Sequence, residues 1–96
     1  MTRSELVLHN RKDILRLAKR YGVTGMRLFG SAARGEDTLK SDIDFLVDME
    51  PGRSLFDLGG LLVALENLLG CKVDLLTEKS LHWYIREQVL REAKPL

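Results

Sequence analysis

Cysteine and histidine are scarce in this 96-residue chain, and their scarcity excludes two classes of protein. Cys71 is the single cysteine, so no disulfide can form within the chain. The two histidines, His9 and His82, lie far apart, and no cysteine or histidine spacing typical of a zinc site is present. We therefore expect neither a disulfide-rich secreted scaffold nor a zinc module.

Long apolar runs are also missing. The N-terminal segment MTRSELVLHNRKD has at most three consecutive apolar residues, too few for the core of a signal peptide. The most apolar stretch, LGGLLVALENLLG, is interrupted by Glu66 and Asn67 and is too short to span a bilayer. These absences predict a cytoplasmic protein without a membrane segment.

An excess of positive charge is the third missing feature. Lysine and arginine number 15 and aspartate and glutamate 14, which gives a formal net charge of +1. Proteins that bind nucleic acid through its phosphates usually carry a clear basic excess, so direct nucleic-acid binding is not expected. The composition, 45% hydrophobic and 30% charged, is that of an ordinary globular protein. The length predicts a single domain over residues 1–96.

Helical and strand patterns alternate along the chain. The predicted helices cover residues 10–21, 31–34, 55–69 and 78–93, and the predicted strands cover residues 26–29, 42–49 and 72–77. Asn10, with Asp13 as the acid of a capping box, is the predicted cap of the first helix, and Ser54 is the predicted cap of the third. This order predicts an α+β fold with a small sheet and packed helices, and it leaves the strand order open.

Aspartates interrupt two strands that are otherwise apolar. Side chains alternate along a strand, so Asp42, Asp44 and Leu46 share one face of the second strand. Asp74 and Leu76 share one face of the third strand in the same way. If the two strands are neighbours, the three carboxylates can converge on one point.

Converging carboxylates repel one another and need a positive charge between them. Hard oxygen ligands in an incomplete set suit Mg²⁺, which keeps several waters and completes its shell with substrate phosphates. A lone aspartate at the end of a strand is more often solvated, and Asp48 is assigned to that class. The sequence therefore predicts a magnesium site at Asp42, Asp44 and Asp74.

A glycine–serine turn precedes these aspartates. Gly30 and Ser31 join the first strand to a helical turn, where free backbone N–H groups attract phosphate. Arg34, one turn later, can add positive charge. Alone, each of these features is an ordinary turn or a surface charge. Beside a metal site, they are the parts needed for phosphoryl or nucleotidyl transfer.

The segments GSAARG, SDIDFLV and VDLLT together resemble the polymerase-beta-type nucleotidyltransferase superfamily. The short chain and the tight spacing of the first two segments resemble most closely its minimal nucleotidyltransferases of prokaryotes. The resemblance covers about residues 10–93. It implies an α+β nucleotidyltransferase fold, with a mixed sheet of about three to four strands and about four helices.

The same resemblance implies the chemistry of the site. Asp42, Asp44 and Asp74 would be the catalytic and metal-binding residues and would hold two Mg²⁺ ions, with Mn²⁺ as the alternative. Gly30 and Ser31 would bind the triphosphate of ATP or another nucleotide, with Arg34 beside them. Asp74 would accept the proton of the attacking hydroxyl.

A partner protein is also implied by the resemblance. No acceptor-holding domain is recognisable, and the minimal relatives are commonly encoded beside a gene for a small helical protein of the HEPN type, a ribonuclease toxin. The implied role is that of an antitoxin that transfers AMP to a toxin tyrosine. Independently of the resemblance, the adjacent Trp83 and Tyr84 of the last predicted helix point about 100° apart, so they either form part of a partner surface or both pack over the sheet edge. An antitoxin that acts only by binding, and a nucleotidyltransferase for a small molecule such as an aminoglycoside, remain alternatives. Acceptor, base preference and homo-oligomeric state stay open.

Overall fold

A mixed four-stranded sheet forms the centre of the computed structural model, which describes residues 1–38 and 40–96. The strand order is β3-β2-β1-β4. Strand β2 is parallel to β3, whereas β1 is antiparallel to both β2 and β4. The strands are β1 (Val23–Phe29), β2 (Ile43–Met49), β3 (Val73–Leu76) and β4 (Lys94–Pro95).

Five α-helices pack around this sheet in the described part of the chain. They are α1 (Arg3–His9), α2 (Arg11–Arg20), α3 (Ser31–Arg34), α4 (Leu55–Leu69) and α5 (Trp83–Glu92), and a short 3₁₀ turn spans Glu78–Ser80. The α+β architecture predicted from the sequence is confirmed. No helix among the described residues is long and apolar enough to cross a membrane.

The two faces of β2 have the different roles that the alternation of its side chains predicts. Ile43, Phe45 and Val47 are fully buried in the main core, which also contains apolar side chains of α1, α2, α3 and α4. On the other face, Leu46 packs with Phe29 in a smaller cluster that also includes side chains from α5. The aspartates of β2 share this second face, and the main core holds the sheet behind them.

The predicted cap of the helix before β1 is wrong, whereas the cap of α4 is confirmed. Asn10 makes no side-chain cap hydrogen bond to α2, because its side-chain amide donates instead to the Leu6 carbonyl at 2.9 Å. That carbonyl belongs to α1, a helix that was not predicted although Thr2 and Glu5 form its capping box. Ser54 caps α4 as predicted, accepting from the Phe56 amide at 3.2 Å.

The predicted last helix is divided into two parts. The Thr77 amide donates to Ser80 Oγ at 3.0 Å, which closes the 3₁₀ turn, and Leu81 then enters the small cluster. Helix α5 begins afresh at residue 83, where His82 Nδ1 accepts from the Tyr84 amide at 3.1 Å. Local capping by polar side chains therefore outweighs the helical pattern over residues 78–82.

The sheet extends beyond the predicted strands. Strand β1 begins at Val23 rather than Met26, and the two-residue strand β4 pairs Lys94 with Leu28. Two residues are too few for any periodicity, so β4 has no sequence signal. Within the predicted polar connector at residues 36–40, Leu39 lies outside the described residues.

Candidate active site

Asp44 of β2 and Asp74 of β3 lie side by side on the sheet. Strands β2 and β3 are neighbours, which is the condition under which the sequence pattern brings their aspartates together, and their register pairs Asp44 with Asp74. The end of β1 lies on the other side, where Phe29 pairs with Asp44. Gly30 follows Phe29 directly, so the glycine turn stands at the same edge of the sheet as the two carboxylates.

Asp44 lies in an environment that disfavours its charged form. The pKa of its carboxyl group is raised to about 6, first by burial and then by a hydrogen bond with the adjacent Asp74 and by the negative charge of Asp74. The charge of Asp42 acts in the same direction, whereas Arg34 opposes it. At neutral pH the pair therefore carries an electrostatic cost that a bound cation would relieve.

Asp42 stands just before β2 and is not part of a closed carboxylate cluster. Its Oδ2 lies 3.8 Å from Lys72 Nζ, and its side chain is 45% exposed. The amide of Ile43 donates to the Lys72 carbonyl at 3.1 Å, and this backbone contact places the side chains of Asp42 and Lys72 next to each other. Within residues 1–38 and 40–96, no group of three histidine, cysteine, aspartate or glutamate side chains is assembled for a metal ion. The structure thus joins Asp44 to Asp74 and leaves Asp42 paired with lysine.

The Gly30 backbone allows this close approach between the turn and Asp44. Gly30 has φ +74°, and a Cβ atom built on it would collide with Asp44 Oδ2. Its carbonyl accepts from the amides of Ala33 and Arg34 at 3.1 and 3.2 Å, which starts α3. The first amides of a helix have no acceptor within the helix, and here these are the amides of Ser31 and Ala32. These two amides lie at the edge of the sheet that bears Asp44.

Arg34 links the turn to α5. Its Nε lies 3.1 Å from Glu36 Oε2 and its Nη1 lies 3.3 Å from Glu92 Oε2. The hydrogen bond with Glu36 has the larger effect and that with Glu92 the smaller, and both raise the pKa of the Arg34 guanidinium group. Because Arg34 also lowers the pKa of Asp44, its charge acts on the carboxylate site.

Two residues at the site were missed by the sequence analysis. Lys72 precedes Asp74 by two residues and so shares its face of the sheet, a signal that the alternation rule provides. Glu92 has no such signal, because its contact with Arg34 joins two helices that are far apart in sequence.

The model of the nucleotidyltransferase domain family matches residues 11–96. The match covers most of the chain, and the mixed sheet of the structure agrees with it. The chain therefore belongs to the nucleotidyltransferase domain family and is a nucleotidyltransferase.

Three similar proteins place the chain more closely. The protein adenylyltransferase MntA of Thermococcus cleftensis is 46% identical over 79% of this chain and 77% of its own length. A solved structure described as a minimal nucleotidyltransferase has a TM-score of 0.86 and 48% identity, and the match covers 97% of this chain and 95% of that one. A toxin–antitoxin crystal structure with AMP-PNP has a TM-score of 0.75 and 26% identity over 90% and 71% of the two chains.

Proposed function

We propose that this chain transfers AMP from ATP to a tyrosine hydroxyl of a HEPN-type partner toxin, with Mg²⁺ as cofactor, and so acts as an antitoxin. The observation that carries the proposal is the Asp44–Asp74 pair beside the Gly30 turn. The similarity to a protein adenylyltransferase and to a toxin–antitoxin structure with AMP-PNP supports the nucleotide and the type of partner.

The carboxylates fit a divalent cation. The donors are oxygen atoms of Asp44 and Asp74, and the pKa of Asp44 is raised by burial first and then by the neighbouring carboxylates Asp74 and Asp42. Asp42 would join them by leaving Lys72, which costs little because a long, exposed ion pair is weak. When bound, Mg²⁺ in such a site stabilises the charge of the reacting phosphates and lowers the pKa of an attacking hydroxyl.

The residues of the chain then have separate roles. The backbone at Gly30 and Ser31 binds the triphosphate, and Arg34 contributes positive charge beside it. Asp74 accepts the proton of the tyrosine hydroxyl. The tyrosine oxygen forms a bond to the α-phosphorus of ATP while the bond between that phosphorus and the bridging oxygen breaks, and pyrophosphate leaves.

Mass spectrometry of the intact partner tests this proposal. The purified product of the neighbouring gene is incubated with ATP, Mg²⁺ and either the native chain or its Asp44→Asn variant. We expect a mass gain of one or more AMP units with the native chain and no gain with the variant. Asp48→Asn is the matched control, because Asp48 lies on the same strand but is exposed at its other end, and this variant should remain active.

The alternatives predict different results. An antitoxin that acts only by binding would leave the mass of the partner unchanged. Its Asp44→Asn variant would still neutralise the partner. An enzyme for small acceptors would leave the partner unmodified but would consume ATP when an aminoglycoside is added. Repeating the reaction with GTP, CTP and UTP would identify the preferred base.

A further inference from the structure

Helix α5 leaves a cluster of aromatic side chains uncovered. None of its ten residues is buried in the chain. Trp83 is 79% exposed and Tyr84 is 76% exposed, and Ile85 beside them is also exposed. We call Trp83, Tyr84 and Ile85 the α5 patch. Trp and Tyr are the residues that most often dominate binding energy at protein interfaces.

The rings of the α5 patch are held in place before any partner binds. Trp83 stacks on His82 with ring centroids 5.6 Å apart, and Tyr84 meets Trp83 edge to face at 5.8 Å. His82 is itself fixed, because its Nδ1 accepts from the Tyr84 amide at the start of the helix. A patch whose side chains are already ordered loses less conformational entropy on binding.

Helix α5, which bears the α5 patch at its start, packs on the same face of the sheet as the carboxylates. Val89 and Leu90 pack on the small cluster beside Leu46, and Glu92 contacts Arg34 at the site. A helix rises about 1.5 Å per residue, so the residues of the α5 patch stand about 10–14 Å along the helix from Glu92. A protein that contacts the patch and extends along α5 therefore reaches the carboxylates.

We propose that the α5 patch is the docking surface for the protein acceptor, which presents an apolar surface to Trp83 and Tyr84 while its target hydroxyl enters the site. This inference rests on the proposed function for the identity of the acceptor. A buried Trp or Tyr side chain covers about 150–250 Å². Together, Trp83 and Tyr84 would therefore supply about half of the ~800 Å² that one side of a standard interface needs. The remaining area is available along the exposed side of α5.

The position of the α5 patch favours the acceptor over a second copy of the chain. An acceptor must approach the face that bears Asp44 and Asp74, and α5 is the helix that borders this face. A second copy seated on α5 would stand in the path of that approach. The exposed aromatic Phe56, at the start of α4, instead belongs to a helix that packs in the main core on the opposite face.

A binding measurement without ATP tests the docking surface separately from the chemistry. The product of the neighbouring gene is titrated into the native chain, the Trp83→Ala/Tyr84→Ala variant and the control Phe56→Ala, and heat is recorded by calorimetry. We expect the double variant to raise the dissociation constant about ten-fold or more, and Phe56→Ala to leave it unchanged. Circular dichroism of all three proteins checks that each is folded, as expected for changes at exposed positions.

A kinetic measurement then separates docking from catalysis. With ATP present, the double variant should raise KM for the partner protein while kcat and nucleotide binding stay unchanged, because no patch residue belongs to the carboxylate site. Trp83 is the single tryptophan, so the ¹⁹F signal of chain labelled with 5-fluorotryptophan should also shift when the partner is added.

Each other outcome has a defined meaning. Unchanged affinity in the double variant, equal weakening by Phe56→Ala, or no binding of the partner to the native chain would overturn the docking proposal. A native chain that is dimeric, and that the double variant makes monomeric, would overturn it in favour of a second copy. Patch-dependent binding without any AMP transfer would support the docking surface and refute the proposed function.

Discussion

Replacing Asp44 by asparagine should stabilise the metal-free protein while it abolishes the reaction. Burial and the neighbouring Asp74 raise the pKa of Asp44 from 3.8 to about 6. A folded state that binds the proton more tightly than the unfolded chain loses stability as pH rises from about 4 to about 6. Above that range the native protein carries the full cost of the ionised carboxylate, and Asp44→Asn removes it.

The size of this cost follows from the shift in pKa. About two pH units correspond to ~3 kcal/mol at ~1.36 kcal/mol per unit. Asp44 is only half-buried, so solvent screening reduces the expected gain to about 1 kcal/mol. For a domain of this size, 1 kcal/mol raises the melting temperature by about 4–8 °C.

Thermal melts followed by circular dichroism in EDTA, from pH 4 to pH 8, measure this effect. Asp44→Asn should melt several degrees above the native protein at pH 7.5, and most of the difference should disappear at pH 4. Asp48→Asn is the control and should follow the native curve, because Asp48 is exposed. A variant that is no more stable than the native protein at pH 7.5, or equally stabilised at every pH, would refute the electrostatic argument.

Three further predictions concern the same site. Mg²⁺ should raise the melting temperature of the native protein but not that of Asp44→Asn, and equal shifts in both would argue against a carboxylate metal site. Gly30→Ala should lose nucleotide binding and about 1–3 kcal/mol of stability, because the new methyl group meets Asp44 and φ is +74°. Its control Gly35→Ala, at φ +73° with open space around the Cβ position, should lose about 1 kcal/mol and keep nucleotide binding, as measured by fluorescent ATP titration. Arg34→Gln should raise KM for ATP about ten-fold with little change in melting temperature, and an unchanged KM would remove Arg34 from the binding residues.

Local rules predicted the parts of this protein that depend on neighbouring residues. Alternation along β2 separated Asp44 from Ile43 and Phe45, and the main core confirms that separation. The capping signal at Ser54 gave the start of α4 correctly. These features depend on interactions within a few residues, which a sequence shows directly.

Long-range contacts were beyond the same rules. The pairing of Asp44 with Asp74 required β2 and β3 to be neighbours, which the pattern made plausible but did not determine. The ion pair of Arg34 with Glu92 and the strand β4 arise only when distant segments meet. The wrong cap at Asn10 has a local cause instead. Helix α1 was not predicted, and the Asn10 side chain donates to the Leu6 carbonyl of that helix rather than capping α2.

We propose that the Asp44–Asp74 site transfers the nucleotidyl group of ATP to a protein. The most direct test uses ATP labelled either at the α-phosphate or at the γ-phosphate, incubated with the chain and the product of the neighbouring gene. We predict that the label enters the partner protein only from the α-position, and that Asp44→Asn abolishes it. Transfer of label from the γ-position would show phosphoryl transfer instead, and no transfer from either position would contradict the claim.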